Sequence, residues 1–598
     1  MVWCVYECVC VCGEREEEGG KRGEEGNAVK TGGQAVVPTP TLASPFTPPP
    51  PLSPPSPQSY DLDASVEAGM QKLIDTAGAG ASFTSPGWLT QLGRLWGGAA
   101  DAPVADAKPD DIKDLLGGAL FKALYKWMEE SGPIYLLPTG PASSFLVVSD
   151  PAAAKHVLRA TDNPANPVYE KGLVAEVSSF LFGDGFAISG GDAWRVRRRA
   201  VGPALHRAYL DAMVGQVFAP ASDVLAAKLR AAAASGAPID LEACFSQLTL
   251  DIIGKAVFNH DFASLQSSSP VIQAVYTALK ETESRATDVL PLWRWPAVAW
   301  LSPRQKAATA AVKIIRDTTE DLVARCKALV DAEAAGTIDL NDPSAAAGSS
   351  TPSVLRFLIA ARDDVDSTQL RDDLLSMLVA GHETTASVLT WTLYELMRAP
   401  AAAAEARAEV DAVLAGTADG KLTSAADVAA LRYVTRCVNE SMRLYPHPPV
   451  LLRRARAPDT LPGGVSVPVG QDVMISVYNI HRSPAVWPDA PNAFNPARFG
   501  PLADPHPNET NTDYRFIPFS GGPRKCVGDA FATMESVTAL ASLIAQFDFT
   551  PVPGREDPGM TTGATIHTKN GLWVTVKERA GGAGVGAAAA AAASVASA

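Results

Sequence analysis

The chain has 598 residues, 47% of them hydrophobic, and its formal net charge is −14. This composition permits a large globular core, while the acidic balance excludes a general nucleic-acid binder, which needs a cationic surface. No apolar stretch reaches the roughly 18 residues that a transmembrane helix requires, so a membrane span is not expected. Half of the eight cysteines crowd the first twelve residues and the others are isolated, which favours a reducing compartment over a disulfide framework.

Residues 1–60 do not have the pattern of a folded domain. A Cys/Val run and a glutamate-rich stretch precede residues 31–60, which are rich in Pro, Ser and Thr and lack acidic residues. Such segments bury too little apolar surface to offset chain entropy, so we expect a disordered leader or targeting region. Plastid transit peptides are Ser-rich and acid-poor, which fits residues 31–60 but not residues 1–30. Either the natural start lies further in, which we favour, or targeting tolerates the unusual leader.

The rest of the chain is predicted to be one mostly helical domain with small β-sheets over residues 110–578. An N-terminal extension over residues 61–109 precedes it, and a disordered Gly/Ala tail over residues 579–598 follows it. Helix periodicity begins at Asp110–Ser131, and Ser144–Asp150 and Leu572–Glu578 have the pattern of strands. Asp331–Ser353 is predicted to be a flexible loop between two helices.

A predicted helix near residue 191 places Trp194 and Arg198 on one face, in W-x-x-x-R spacing. Arg195, Arg197 and Arg199 make the same helix a basic strip on an acidic protein. Two interpretations stay open, a solvated helix face and a docking patch for an acidic electron donor.

Residues 289–301 cluster Trp293, Trp295 and Trp300 among aliphatic residues and prolines. Tryptophans in such surroundings favour a membrane interface, but core packing explains them almost equally well.

Gln369–Ala399 has the pattern of a long helix whose apolar centre is interrupted by the polar sequence Ala-Gly-His-Glu-Thr-Thr. Gly381 weakens a helix, and the hydroxyl of Thr384 can divert a backbone carbonyl, so we predict a local kink that opens a small groove. An exposed polar face is the simpler alternative for Glu383 and Thr384.

Glu440 and Arg443 are neighbours on one predicted helix face, at i and i+3. Alone, this spacing is common on protein surfaces and carries little weight. Its weight comes from the segment Phe494–Phe499, whose Arg498 can complete a charge network with the pair.

A loop rich in glycine and proline ends at a lone cysteine and then opens into an apolar helix. Its pattern F-x-x-G-x-R-x-C-x-G is formed by Phe519, Gly522, Arg524, Cys526 and Gly528. Turn amides and a helix N-terminus lower the pKa of a thiol, and glycines let the backbone approach a flat ligand. The alternative is a buried structural thiol, the commonest role of a single cysteine.

This pattern resembles the haem-thiolate loop of the cytochrome P-450 family, and AGHETT matches that family's A-G-x-[DE]-T-[TS] motif. The resemblance implies the cytochrome P-450 fold, with a long central helix and a cysteine loop enclosing haem b. Cys526 is then the axial ligand of the haem iron, and Phe519, Gly522 and Gly528 shape the loop around the haem.

The resemblance also implies roles for the other motifs. Thr384 is expected to donate a hydrogen bond toward dioxygen and Glu383 to relay protons. The cations and the tryptophan expected at the haem propionates are Trp194, Arg198, Arg453 and Arg524. The network expected to hold the chain behind the cysteine loop is Glu440, Arg443 and Arg498, although Ala497 replaces a glutamate often found beside that arginine.

From about Ser85 to Lys577 the chain is similar to the plastid carotenoid-ring hydroxylases. The segments that carry the similarity lie partly outside the haem motifs, at residues 110–127, 171–188, 246–259, 507–529 and 560–574. Residues 269–291, 380–394 and 440–455 point to the ε-ring branch, which forms lutein by 3-hydroxylation, whereas residues 161–167 depart from the pattern.

This resemblance implies a monooxygenase that hydroxylates carotenoid rings in the chloroplast, peripheral to the thylakoid or envelope membrane. Electrons would come from NADPH or ferredoxin through a redox partner, and other carotenoid hydroxylases are possible partners. The alternatives are a β-ring hydroxylase, a haem isomerase of fatty-acid hydroperoxides and a non-catalytic haem protein. The last two need no proton relay, so the intact AGHETT sequence argues against both.

Overall fold

The computed structural model describes residues 100–106, 108, 111, 119–138, 144–163, 167–205, 207–267, 269–287, 292–295, 299, 301–334, 354, 367–417, 419–562 and 564–579. All of them belong to one compact unit. The predicted leader, most of the N-terminal extension, almost all of the predicted 331–353 loop and residues 580–598 of the predicted tail lie outside the described residues.

Helices dominate the described chain. They are α1 Leu120–Ser131, α2 Pro151–Ala160, α3 Leu173–Phe182, α4 Gly191–Val201, α5 Arg207–Met213, α6 Ala219–Ser235, α7 Leu241–Phe258, α8 Pro270–Thr287, α9 Pro303–Ala334, α10 Ser367–Arg398, α11 Pro400–Ala415, α12 Ala425–Ala430, α13 Arg432–Leu444, α14 Val477–Arg482 and α15 Asp529–Gln546. Short 3₁₀ turns cover Gly202–Leu205, Leu292–Arg294, Pro496–Phe499 and Gly522–Arg524, and a π-helical turn covers Val214–Phe218.

The strands form small sheets around this helical body. They are β1 Ile134–Pro138, β2 Ser144–Val148, β3 Tyr169–Glu170, β4 Ile239–Asp240, β5 Val450–Ala455, β6 Asp459–Thr460, β7 Ser466–Val467, β8 Asp472–Ser476, β9 Phe547–Pro551, β10 Met560–Thr562, β11 Ile566–Thr568 and β12 Trp573–Glu578. The largest sheet has the order β1-β2-β8-β5-β3, with β2 and β8 parallel and its other pairs antiparallel. A second sheet has the order β4-β12-β9, and β10 pairs with β11 in a hairpin.

The long helix α10 runs through the core and packs along α7, with α13 and α15 on its other sides. Almost every side chain from residue 370 to residue 396 is buried, as expected for a helix surrounded by other helices. At the α7 contact, a Cβ on Gly381 would lie 2.6 Å from Cδ1 of Ile253. Glycine at this position therefore allows α7 to approach α10 closely.

The fold class, both strand predictions and the long helix are confirmed, since α10 spans Ser367–Arg398 and the predicted strands correspond to β2 and β12. Residues 380–385 stay α-helical within α10, so the predicted groove does not come from a break in the helix. Among the described helices, none is both long and apolar enough to cross a membrane.

Candidate active site

The cysteine loop is closed by backbone hydrogen bonds on both sides of the sulfur. The N–H of Cys526 donates to the carbonyl of Phe519 at 3.0 Å, and the N–H of Gly528 donates to the Cys526 sulfur at 3.3 Å. Helix α15 begins at Asp529, three positions after the cysteine, with Gly528 as its N-cap. The loop thus holds the sulfur beside an amide donor and just ahead of a helix N-terminus, as the sequence predicts.

The thiol itself differs from the prediction in its pKa. Burial raises the pKa of Cys526; the Gly528 N–H and the charges of Arg198 and Lys525 lower it, but they do not reverse that effect. Cys526 is nevertheless exposed, so its sulfur is accessible to a ligand. A positive ion bound there would supply the charge that the thiolate needs.

Two glycines of the loop are needed for packing against the protein itself. A Cβ on Gly522, which has φ +69°, would lie 2.2 Å from the carbonyl oxygen of Leu158, so glycine here allows the loop to contact α2. A Cβ on Gly521 would meet the ring of Tyr514 at 2.5 Å. At Gly528 the nearest described atom is the Cys526 sulfur at 4.0 Å, so the open side of the loop lies there.

Arg524 is buried and lies with its guanidinium 4.5 Å from the ring centroid of Trp194. Its Nη2 donates to the carbonyl of Ser189 at 2.8 Å, and its Nε lies 3.5 Å from Oδ2 of Asp162. Its Nη1 is buried and has no hydrogen-bond partner among the described residues. Because a buried donor without a partner is costly, this nitrogen is a candidate contact for an anionic ligand.

Further cations gather around the same space. Arg453 is buried and donates from Nε to the hydroxyl of Thr161 at 3.2 Å, and burial lowers its pKa to about 10. Burial also lowers the pKa of Arg198, while the charge of Cys526 raises it. The sequence did not single out Lys171, whose pKa is lowered by burial and by the neighbouring charges of Arg453 and Arg524. The next residue, Gly172, packs against β5. The sequence alone could not reveal this contact.

The polar centre of α10 presents an open face. Ala380 is exposed and Gly381 and Thr384 are half-buried, within a helix that is otherwise almost fully buried. These positions are i, i+1 and i+4, so they share one side of the helix. The hydroxyl of Thr384 donates to the Ala380 carbonyl at 2.7 Å, which is the diversion of a carbonyl that the sequence predicts.

Glu383, next to Thr384 in the chain, is buried. Its Oε1 lies 2.5 Å from Nε2 of His567 and accepts a hydrogen bond from the Thr565 hydroxyl at 3.2 Å. Sequence reasoning missed His567, because it lies 184 positions from Glu383 and the signal was only its place in the segment at residues 560–574.

The predicted charge network is assembled behind the cysteine loop. Arg443 makes two hydrogen bonds to the Glu440 carboxylate, both 2.8 Å long, and Arg498 donates from Nε to Oε1 of Glu440 at 2.8 Å. Glu440 and Arg443 are fully buried. The remaining donors reach backbone carbonyls, for example that of His481 at 2.6 Å from Arg443 Nη1. Every charge is therefore paired, as burial requires.

The basic strip of α4 is not uniformly exposed. Arg197 is 9% exposed and points inward, with Nη1 3.7 Å from Asp373 on α10. Arg195 forms an ion pair with Asp192, and Arg199 is exposed. The prediction that Arg197 belongs to a surface patch is therefore wrong, because its guanidinium turns from solvent toward Asp373.

The tryptophan cluster is only partly described. Trp293 is half-buried between the guanidinium groups of Arg285 and Arg294, which lie 5.0 and 5.1 Å from its ring centroid. Trp295 is 62% exposed and Leu301 is 65% exposed. Trp300 lies outside the described residues.

These groups fit a haem. The exposed thiol would ligate the iron, the unpartnered arginine nitrogen and the neighbouring cations would suit two propionates, and the open face of α10 would leave room for oxygen and substrate. The assigned roles of these side chains remain predictions.

Comparisons with known proteins agree with this site. The family model for Cytochrome P450 matches residues 112–574. The chain is 54% identical over 535 residues to "Carotene epsilon-monooxygenase, chloroplastic" of Arabidopsis thaliana, which covers 88% of this chain and 96% of that protein. It is 47% identical to "Protein LUTEIN DEFICIENT 5, chloroplastic" of the same plant, over 81% of this chain and 78% of that protein. It is also 42% identical to "Cytochrome P450 97B2, chloroplastic" of Glycine max, over 82% of this chain and 88% of that protein.

Proposed function

Because the chain belongs to the cytochrome P450 family of monooxygenases, we propose that it hydroxylates a carotenoid ring, at C3 of the ε-ring of α-carotene or zeinoxanthin, in the route to lutein. The substrate assignment rests on the 54% identity to a carotene epsilon-monooxygenase, since the alignment covers 96% of that protein. The plastid location is supported in the same way, because all three relatives are named as chloroplastic.

The structural observation that carries the proposal is a group of cations near the exposed Cys526. They are Arg198, Arg453, Arg524 and Lys171. Burial and the charges of Arg453 and Arg524 lower the pKa of Lys171 and the charge of Asp162 raises it, so cations outnumber carboxylates among these groups. A carboxylate-bearing ligand would balance this excess of positive charge. A flat macrocycle with two propionates and a central iron satisfies both the cations and the sulfur.

When bound, the haem supplies the oxidising chemistry that inserts one oxygen atom into an allylic C–H bond and reduces the other to water. The chain's own residues hold the group and manage protons. Cys526 anchors the iron, Arg198, Arg453 and Arg524 orient the propionates, and Thr384 presents a hydroxyl on the open face of α10. Glu383 lies next to Thr384 in the chain and connects it to the polar groups behind the helix.

Two electrons per turnover must come from a partner, and an acidic donor such as ferredoxin or a flavin reductase suits the cationic groups near the cysteine loop. The exposed Arg199 is the member of the α4 strip that is available for such docking. Lys525, next to the cysteine, is instead engaged by Glu509 at 3.2 Å and by Asp529 at 3.0 Å.

A carotenoid is stored in lipid, so the enzyme has to meet a membrane. We assign this contact to the surface that carries Trp295 and Leu301, whose apolar side chains are more than half exposed. Flotation of the protein with vesicles of plastid lipids measures the contact. Trp295→Glu should move protein from the floated to the soluble fraction, whereas Val469→Glu, at an equally exposed apolar residue in the turn before β8, should not. Equal flotation of both variants would remove the assignment.

The substrate is tested by expression in bacteria engineered to accumulate carotenoids, followed by chromatography of the pigments. We expect hydroxylation of the ε-ring in cells that make α-carotene and little change in cells that make only β-carotene. Hydroxylation restricted to β-rings would place the enzyme in the alternative class, and unchanged pigments with an intact haem spectrum would contradict the proposal.

A further inference from the structure

We propose that His567 is a positioning residue for proton delivery, holding Glu383 between turnovers and returning protons to it along the line Glu242–His567–Glu383. The inference rests on the proposed monooxygenase function, because only an oxygen-splitting enzyme needs protons at this place. It goes beyond the predicted pair of Glu383 and Thr384 by adding the groups that supply it.

The imidazole of His567 bridges two carboxylates. Its Nε2 lies 2.5 Å from Oε1 of Glu383, and its Nδ1 lies 3.2 Å from Oε1 of Glu242. The ring is oriented from the side by Tyr276, whose ring centroid is 5.6 Å away at an interplanar angle of 71°. Thr565 adds a hydroxyl 2.8 Å from Nε2.

Three separate elements meet at this histidine. It lies on β11, Glu383 lies on α10, and Glu242 lies in the first turn of α7. Glu242 is fixed in turn by Thr568, whose N–H donates to Oε1 at 3.1 Å and whose hydroxyl donates to Oε2. Side-chain exposure changes along the line, from 3% at Glu383 to 14% at His567 and 15% at Glu242. The bridge therefore leads from the buried helix toward water.

The charges favour an imidazolium. Burial alone would lower the pKa of His567, but hydrogen bonds to Glu242 and Glu383 and their negative charges raise it to about 10. Other titratable groups surround this site. Tyr276 lies against the ring, burial raises the pKa values of Asp240 and Glu283, and burial lowers those of His382 and His447. The imidazolium therefore keeps its proton at neutral pH until a stronger base on the Thr384 side of α10 draws it through Glu383.

The transfer is balanced by simple proton movements. The proton on Nε2 passes to the Glu383 carboxylate, while the Nδ1–H keeps its hydrogen bond to Glu242. Glu383 then carries a proton that it can release toward the Thr384 side of α10. The neutral imidazole takes up a proton from water, which reaches 14% of the side chain. No electron moves in any of these steps.

A purely structural role is the competing explanation, since the same bridge ties β11 to α7 and α10. The two roles differ in what they predict for a folded variant. A structural tie changes stability, whereas proton return changes the fraction of electrons that reach product.

The first test uses His567→Gln, which keeps a polar side chain but cannot carry a charge. His156→Gln is the matched control, because His156 pairs with the Asp459 carboxylate at 2.8 Å but lies on α2. We expect His567→Gln to retain its haem spectrum and rate of reduction, while product formed per NADPH falls about tenfold and hydrogen peroxide release rises. Wild-type coupling in the folded variant would overturn the inference.

The second test needs no turnover, so its failure is separate from a failure of the proposed substrate. NMR of the labelled histidine side chains follows the protonation of His567 in the resting holoenzyme. We expect no titration of His567 between pH 5 and about 8.5 in the wild type, and a clear downward shift in Glu242→Gln, whose neutral amide no longer favours the cation. Titration of His567 near the ordinary histidine pKa in the wild type would overturn the inference. This result does not depend on whether His567→Gln folds.

Discussion

At the residue scale, the hydroxyl of Thr384 shows how a local pattern becomes a functional feature. It donates to the Ala380 carbonyl within its own helix, at a position where α10 is open rather than packed. A hydroxyl in this arrangement can exchange its helical acceptor for a ligand at little cost.

Thr384→Ala should therefore leave the fold and the haem spectrum intact while lowering hydroxylated product per NADPH by about an order of magnitude, with Thr384→Ser largely restoring it. Thr390→Ala is a matched control, because Thr390 makes the same bond to the carbonyl of Ala386, at 2.8 Å, but is fully buried. The measurement is the amount of oxygen and NADPH consumed for each molecule of product. Wild-type product per NADPH in Thr384→Ala would contradict the role of the Thr384 hydroxyl.

Residues that act through short patterns could be predicted, and residues that act through distant contacts could not. The loop around Cys526 and the centre of α10 are each one continuous stretch of sequence. Residue spacing therefore predicted the amide beside the sulfur and the bond from the Thr384 hydroxyl to a helix carbonyl. His567 reaches Glu242 across 325 positions, and its role depends on both partners being folded around it. The pKa of Cys526 was predicted in the wrong direction, because turn amides can be read from sequence but burial cannot.

At the element scale, the Glu440 network joins α13 to the segment before the cysteine loop. Glu440 and Arg443 are fully buried, the side chain of Arg498 is 6% exposed, and both arginines depend on the one carboxylate. We expect Glu440→Gln to lower the free energy of unfolding by about 3–5 kcal/mol, because it leaves Arg443 and Arg498 without a counter-charge.

The control for that prediction is Asp317→Asn, which removes an exposed i,i+4 pair with Lys313, 2.6 Å apart on α9. Exposed pairs are screened by water, so this change should be close to undetectable in urea unfolding. Similar losses in the two variants would show that the network is not a buried structural unit.

Two arginines of α4, the exposed Arg199 and the buried Arg197, are expected to have different roles. Arg199→Glu should slow reduction by an acidic donor at low salt, with the difference disappearing as salt is raised. Arg197→Glu should instead lower stability, because it places a carboxylate beside Asp373. Stopped-flow reduction and thermal unfolding distinguish the two, and an Arg199→Glu enzyme reduced at the wild-type rate in low salt would remove the docking role.

At the scale of the whole molecule, buried histidines set the response to pH. The pKa values of His382, His447 and His481 are lowered by burial, to about 4, about 3 and about 3. Two of them accept backbone N–H groups, His481 from Ile517 at 2.8 Å and His447 from Ile566 at 3.2 Å. They are therefore neutral in the native state and gain protons when the chain unfolds.

The sign follows from proton binding. Below the unfolded histidine pKa of about 6.5, the unfolded chain binds more protons, so stability falls as pH falls, by about 1.4 kcal/mol per pH unit for each histidine. Burial raises the pKa of Asp240 to about 6 and also raises the pKa values of Glu283, Glu409 and Glu535, so these carboxyls oppose part of the loss. His567 acts on the other side, because its raised pKa gives stability that is lost as pH rises toward about 10.

We therefore expect stability to be greatest near neutral pH and to fall by about 1–2 kcal/mol per pH unit between pH 5.5 and 4.5. Urea unfolding of the holoenzyme across pH 4.5–9 measures this. A constant unfolding midpoint over the acidic half of the range would contradict the burial of these histidines.

The overall architecture was predictable because helix periodicity and family motifs extend over most of the chain. The close approach of α7 to α10 and the inward face of α4 were not, since both depend on how helices pack together. Gly381 is an example. The sequence suggested that this glycine weakens α10, whereas the structure shows that its lack of a side chain lets Ile253 of α7 come close.

The most direct test of the account is the carbon monoxide difference spectrum of the reduced Cys526→Ser protein. Cys326→Ser is the control, because this cysteine is a buried residue of α9 outside the cysteine loop. The account predicts that Cys526→Ser loses the band typical of thiolate-ligated haem and all carotenoid hydroxylation, while Cys326→Ser keeps both. A wild-type spectrum with hydroxylation in Cys526→Ser would contradict it.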